Sequence, residues 1–200
     1  MRVDGRVITS PLHAVVPERV RIAVDDARQT RASWRTIVFH KPRGVVTTRH
    51  DPEGRTTIYD VLGKAGEGLV AAGRLDLASS GLLVLSNDTQ LANWITDPRN
   101  AIPRVYVVTV RGEVTAELPG VVVRKRSTRE THLVVELRQG RNREIRNLFE
   151  SIGHEVTRLK RVSFGGLELG RLEPGEWRDL TRSQIRAAFP ASSTLPSIGR

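Results

Sequence analysis

The sequence predicts an α+β protein with a largely antiparallel sheet. Apolar and β-branched runs of strand length recur along the chain, as in Val105–Val110 and His132–Leu137. Turns rich in Gly, Pro, Asn and Asp separate these runs. Few segments repeat apolar residues at the helical period.

Residues 1–26 read as a small separate unit. Val3-Asp4-Gly5-Arg6-Val7-Ile8 has the form of a hairpin closed by an Asp-Gly turn. Arg19–Val24 alternates polar and apolar residues like a half-buried strand. So short a stretch cannot bury a core by itself. Residues 27–33 make a polar linker to the main body, 34–190.

That body opens with a strand at Thr36–Phe39, stopped by Lys41-Pro42-Arg43-Gly44, and continues through a loop at Asp51–Arg55. Strands follow at Gly68–Ala72 and Ser80–Ser86. Asn87 or Asp88 caps a short helix with Leu91, Trp94 and Ile95 on one face, and Asp97-Pro98 ends it. Further strands are expected at Val105–Val110, Gly120–Val123 and His132–Leu137. Ile145, Leu148, Phe149 and Ile152 mark the clearest helix, over Arg143–Ile152, with Gly153 as its C-cap. Strands at Val162–Phe164 and Leu167–Leu169 precede a Pro174-Gly175 turn. Thr181-Arg182-Ser183-Gln184 has the form of a capping box for a last helix running to Phe189. Residues 191–200, rich in Ser and Pro, are expected to be disordered.

Composition narrows the function. The 200 residues carry a formal net charge of +10, which favours a polyanionic partner. With no cysteine, disulfides, thiol nucleophiles and Cys-based zinc sites are excluded. His13, His40, His50, His132 and His154 are scattered without metal-ligand spacing, so no metal is expected. No apolar run is long enough to span a membrane, and no signal-peptide core follows the N-terminus. A cytoplasmic protein without membrane contact is the expectation.

Two stretches hold the groups best suited to chemistry. Gly73-Arg74-Leu75-Asp76 lies between two apolar runs, which sets Asp76 on a loop held by buried strands. Such a carboxylate suits nucleophilic work, although a turn Asp paired with Arg74 has the same local pattern. Gln139-Gly140-Arg141-Asn142-Arg143-Glu144-Ile145-Arg146 leads into the clearest helix and gathers arginines at its N-terminus. This opposes the usual dipole preference and points to a carboxylate or phosphate partner, unless the run is simply a solvated face. Arg124-Lys125-Arg126 with Arg129, and Arg158 with Lys160 and Arg161, form further basic patches. Aromatic residues make up only 4% of the chain, so a stacking platform of many rings is not expected, and phosphate contacts would dominate binding to a nucleic acid.

The order of these motifs carries a resemblance. Lys41-Pro42-Arg43-Gly44-Val45, Asp51-Pro52-Glu53-Gly54-Arg55, Gly73-Arg74-Leu75-Asp76, Ser80-Gly81-Leu82-Leu83, Ser86-Asn87-Asp88 and Pro103-Arg104-Val105-Tyr106 appear in sequence. Gly140–Arg146, Gly153-His154 and Gly175–Thr181 follow. The chain resembles the RsuA/RluB/RluE/RluF family of bacterial ribosomal pseudouridine synthases over residues 36–181. The resemblance implies a bent, mainly antiparallel mixed sheet with flanking helices and a central catalytic cleft. It implies Asp76 as the catalytic carboxylate, Tyr106 packing against the target base, and Arg146 pairing with Asp76. Arg74 would hold the RNA backbone or the flipped nucleotide. Lys41, Arg43, Arg55, Arg104, Arg141, Arg143 and Arg161 in the matching motifs, with Arg124, Lys125 and Arg126, are the expected RNA contacts. No cofactor is implied.

The implied substrate is ribosomal RNA, free or in a pre-ribosomal particle, bound by a monomer. The Asp51–Arg55 loop looks more like the large-subunit members, which favours 23S over 16S rRNA or tRNA. A non-catalytic RNA-binding or assembly factor on the same fold is the rival reading. The chain departs from the family at Glu144, where Gln is common, and at Asn147-Leu148, where Arg-Met is common. Residues 1–26 resemble the C-terminal half of an S4-type RNA-binding domain.

Overall fold

The computed structural model describes residues 1–10, 12–15, 20–28, 33–195 and 198. The chain divides into two compact units, Met1–Trp34 and Arg35–Arg200.

In the first unit, β1 (Arg2–Val3) and β2 (Arg6–Val7) form the expected hairpin. Asp4 and Gly5 turn it with φ of 48° and 82°, the positive values that a two-residue turn between twisted strands requires. β3 (Ile22–Val24) and β4 (Ala27–Arg28) complete a sheet in the order β2-β1-β3-β4. β4 takes up the start of the expected linker; residues 29–32 and Arg19 lie outside the described residues. Among the described residues of this unit only Val3 is buried, in keeping with a segment too short for its own core.

The second unit begins with β5 (Thr36–Lys41), buried at all six positions, so the strand runs past Phe39 and carries Lys41 inward. A short α1 (Ile58–Leu62) follows, started by a Thr57–Asp60 capping box and held by burial of Ile58 and Leu62. β6 (Val70–Ala72) pairs antiparallel with β7 (Ser80–Ser86). Asp88 caps α2 (Thr89–Thr96) by accepting from the Leu91 N–H at 3.0 Å, and Leu91 and Ile95 are buried. β8 (Arg104–Arg111), β9 (Val121–Arg126) and β10 (Glu130–Leu137) are antiparallel in the order β8-β10-β9, with β10 between the other two.

α3 (Glu144–Ser151) buries Ile145 and Phe149. β11 (Val156–Phe164) starts well before the expected Val162; its register against β8 shifts twice, which breaks the alternation that marks a strand in sequence. β12 (Leu167–Glu168) turns back on β11, and β13 (Trp177–Leu180) pairs with β5. Thr181 and Gln184 cap α4 (Arg182–Ala188) reciprocally, as expected. The tail departs from expectation: Pro190–Thr194 forms a 3-10 turn, and Ser192 and Ile198 are buried.

The main sheet runs β13-β5-β7-β11-β8-β10-β9, with β6 beside β7 and β12 beside β11. Every pairing is antiparallel except β7 with β11. One core cluster joins Ile37, Phe39, Leu83, Tyr106, Val108, Leu133, Ile145 and Phe149, and so binds the sheet to α3. No helix among the described residues is long and apolar enough to cross a membrane.

The parallel join depends on Gly81. It pairs with Arg161, and a Cβ at Gly81, where φ is 109°, would sit 2.2 Å from the Arg161 carbonyl oxygen. Gly81→Ala therefore has to push β11 from β7, and should lower the unfolding free energy by about 2–3 kcal/mol in urea titration. A loss within measurement error would show that the join tolerates a side chain.

Candidate active site

The β6–β7 loop, residues 73–79, carries Arg74 and Asp76. Each carbonyl from Leu75 to Ser79 accepts a hydrogen bond from outside this loop. Thr47 Oγ1 donates to Leu75 O at 2.9 Å, and Gly44 N–H donates to Leu77 O at 2.8 Å. Lys41 Nζ donates to Asp76 O at 3.1 Å and to Ser79 O at 2.9 Å, and spends its third hydrogen on Pro42 O at 3.0 Å. Arg146 Nη2 donates to Ala78 O at 3.2 Å. The backbone is thus fixed from two sides, by the 41–47 segment and by α3.

The Asp76 side chain is left free. Among the described residues its carboxylate makes no hydrogen bond and no ion pair within 4 Å. It is half-buried and lines a cleft of about 490 Å³. The cleft is also lined by Arg74, Ser79, Tyr106, Ile145 and Leu159, by Gly140–Arg143 ahead of α3 and by Glu144 at its start. Tyr106 is 8% exposed and lines the cleft. The buried Ser79 hydroxyl has no partner among the described residues. Five arginines, 74, 104, 141, 143 and 161, line this space against two carboxylates, Asp76 and Glu144.

The structure sorts the expected site residues. Asp76, Arg74, Tyr106, Arg141 and Arg143 meet at the cleft. Arg146 does not pair with Asp76, as the resemblance implied. Its guanidinium reaches the carbonyls of Val156 (2.8 Å) and Ala78, and the charge of Asp76 acts on it only across space. Burial lowers its pKa first, Arg143 adds to this, and Asp76 opposes it. Lys41 is fully buried, so it braces the loop and is closed to RNA.

Arg104 and Arg161 are buried in the inner wall. Arg43 is exposed and reaches Thr157 O at 3.4 Å. Arg55 is held by Asp51 at 2.7 Å and Glu53 at 3.1 Å, and its hydrogen bonds lower the Asp51 pKa to about 2. Arg124, Lys125 and Arg126 are exposed on the edge strand β9, outside the cleft. Sequence reasoning missed the loop-anchoring role of Thr47, for which no sequence signal exists, and the cleft-lining Ser79, whose signal was its place three residues after Asp76.

Lys41 gives this anchor a pH signature. Burial lowers its pKa from the ordinary 10.5 to about 8, offset in part by Asp76. Below pH about 8 the amine is charged in both folded and unfolded chains, and the fold bears the full cost of the buried cation. Between about 8 and 10.5 the folded amine releases its proton while the unfolded one keeps it, so that cost falls and stability rises with pH. The unfolding free energy of wild type minus that of Lys41→Met should climb by about 3 kcal/mol across this interval. A flat difference would place the titration of Lys41 elsewhere.

Comparison with known proteins identifies the setting of this loop. The family model described as RNA pseudouridylate synthase matches residues 35–151. "Ribosomal large subunit pseudouridine synthase B" of Vibrio cholerae is 37% identical, over 90% of this chain and 65% of its own length, so the chain spans just under two thirds of that relative. The protein of the same name from Bacillus subtilis is 31% identical, over 93% of this chain and 84% of its own. A solved pseudouridylate synthase superposes with a TM-score of 0.66 at 25% identity, covering 92% of this chain and 86% of that one. The chain belongs to the RNA pseudouridylate synthase family.

Proposed function

We propose that this chain isomerises a uridine of ribosomal RNA to pseudouridine, with Asp76 as the catalytic carboxylate and 23S rRNA as the substrate. The observation that carries the reading is the Asp76 carboxylate, unpartnered in a cationic cleft while the carbonyls of its loop are tied down. The names of the Vibrio and Bacillus relatives support the large subunit, as does the likeness of the Asp51–Arg55 loop to large-subunit members.

The reaction is a redox-neutral isomerisation and calls for no cofactor. The N1–C1′ bond opens, the uracil turns, and C5 bonds to C1′ while the C5 proton leaves and N1 gains one. Asp76 supplies the electron pair, by adding to ribose or base or by taking a ribose proton. The uridine must first leave its stack, at a cost of a few kcal/mol. Phosphate contacts from the exposed cations offset that cost. Tyr106 packs against the extruded base, Arg74 stands on the same loop for the RNA backbone, and Arg146 keeps the loop in place. Orientation of this kind lowers the barrier by holding reacting atoms at near-attack distance. A monomer in the cytoplasm, acting on rRNA or a pre-ribosomal particle, completes the reading.

Incubation with unmodified 23S and 16S rRNA, followed by chemical mapping, should yield a new pseudouridine in 23S rRNA. A new site only in 16S rRNA would move the substrate, and RNA binding with no pseudouridine in any RNA would leave a binding factor. The basic edge strand makes a separate prediction. Replacing Arg124, Lys125 and Arg126 by Gln should flatten the dependence of log K on log salt by roughly 0.7 for each phosphate that is no longer neutralised. An unchanged slope would assign these cations to protecting the sheet edge from pairing.

A further inference from the structure

Arg104 and Arg161 are unlike the other cleft cations. Strand pairing sets Arg104 opposite Phe164 and Arg161 opposite Tyr106. Both guanidinium carbons lie against the Phe164 ring, 4.8 and 5.0 Å from its centroid. The two residues are only 6% and 3% exposed. Arg104 donates to the carbonyls of Ile102, Arg138 and Ile95. Arg161 donates from Nε to Leu82 O at 2.7 Å, and its Nη2 is enclosed with no partner. Neither meets a carboxylate within 4 Å among the described residues. Burial and then the charge of Arg161 lower the pKa of Arg104.

Two buried cations with no carboxylate in contact, one with an unsatisfied N–H, are costly in a folded protein, and Glu144 acts on Arg104 only across space. An anion in the cleft removes that cost. We infer that Arg104 and Arg161 form a phosphate subsite that takes the 3′ or 5′ phosphate of the uridine presented to Asp76, an inference that rests on the uridine reading of this cleft. A uracil ring is neutral and would leave the charge uncompensated, whereas a guanidinium fork matches two phosphate oxygens. Gly140 lies against Arg104, close enough that a Cβ there would sit 3.3 Å from Arg104 Cζ. A phosphate seated here fixes the sugar from the inner wall, while the exposed Arg141 and Arg143 attract the rest of the strand at the rim.

The test is a binding comparison among uridine, uridine 3′-monophosphate and uridine 5′-monophosphate, followed by NMR titration of the whole chain. In wild type one of the two monophosphates should bind about tenfold tighter than uridine or better, the worth of a charge-assisted contact. Arg161→Gln should reduce that advantage to under about twofold, and Arg178→Gln, which removes the same charge away from the cleft, should leave it intact. If Arg161→Gln fails to fold, Arg161→Lys and Arg104→Lys keep the charge without the fork and should each cut the advantage to a few-fold. No advantage in wild type, or an equal advantage in the cleft variants, would overturn the subsite. Because the readout is binding, loss of the subsite is told apart from a failure to make pseudouridine in the rRNA assay.

Discussion

The structure depends on how one loop is held. Five successive carbonyls, from Leu75 to Ser79, are each engaged by a donor from the 41–47 segment or from Arg146. A loop that must present a carboxylate to a substrate cannot be fixed through that carboxylate without taking it out of use. Here the backbone takes the whole load. The buried Lys41 ammonium and the half-buried Arg146 guanidinium sit among carbonyl dipoles, and Asp76 tunes both of them only through space. For the role proposed for Asp76 this is pre-organisation, since little ordering of the loop would remain to be done when a substrate arrives.

The sheet supplies the other walls. Close parallel pairing at Gly81 brings β11 beside β7, and Arg161 and Tyr106, paired across β11 and β8, line the same cleft as the Asp76 loop. α3, docked through Ile145 and Phe149, sends Arg146 to the loop from one side and the arginines ahead of it to the cleft mouth. The excess of cations over carboxylates is therefore graded. Exposed arginines at the rim favour encounter with a polyanion, and buried ones against Phe164 are placed where a desolvated charge is worth most.

Much of this is legible in the sequence. The Asp-Gly hairpin and the Asp88 and Thr181 caps follow from local pattern because their stabilising contacts lie within a few residues, and the strands expected at 80–86 and 132–137 show as apolar and β-branched runs. Asp76, Tyr106 and the arginines before α3 fall at one cleft, as the motif order implies. The errors share a cause. Sequence marks a cation but not its partner, so Lys41 and Arg146 look like groups for RNA and for Asp76 when carbonyls hold them. β11 shows only its end in sequence because bulges scramble its alternation. α1 is hidden because five residues are too few to show a period, although its capping box is there to be read. The Ser and Pro content of the tail points to disorder, yet Ile198 finds a buried place that composition does not encode.

The central claim is that the Asp76 carboxylate acts on a uridine and is not a structural anchor. Bonding of C5 to C1′ expels the C5 hydrogen, so RNA carrying tritium at uridine C5 reports the chemistry directly. Wild type should release tritium to water from this RNA, and Asp76→Asn should release none above background while binding RNA within about threefold of wild type, as expected for loss of a group used only in the reaction. Tritium release by Asp76→Asn at the wild-type rate would contradict the account.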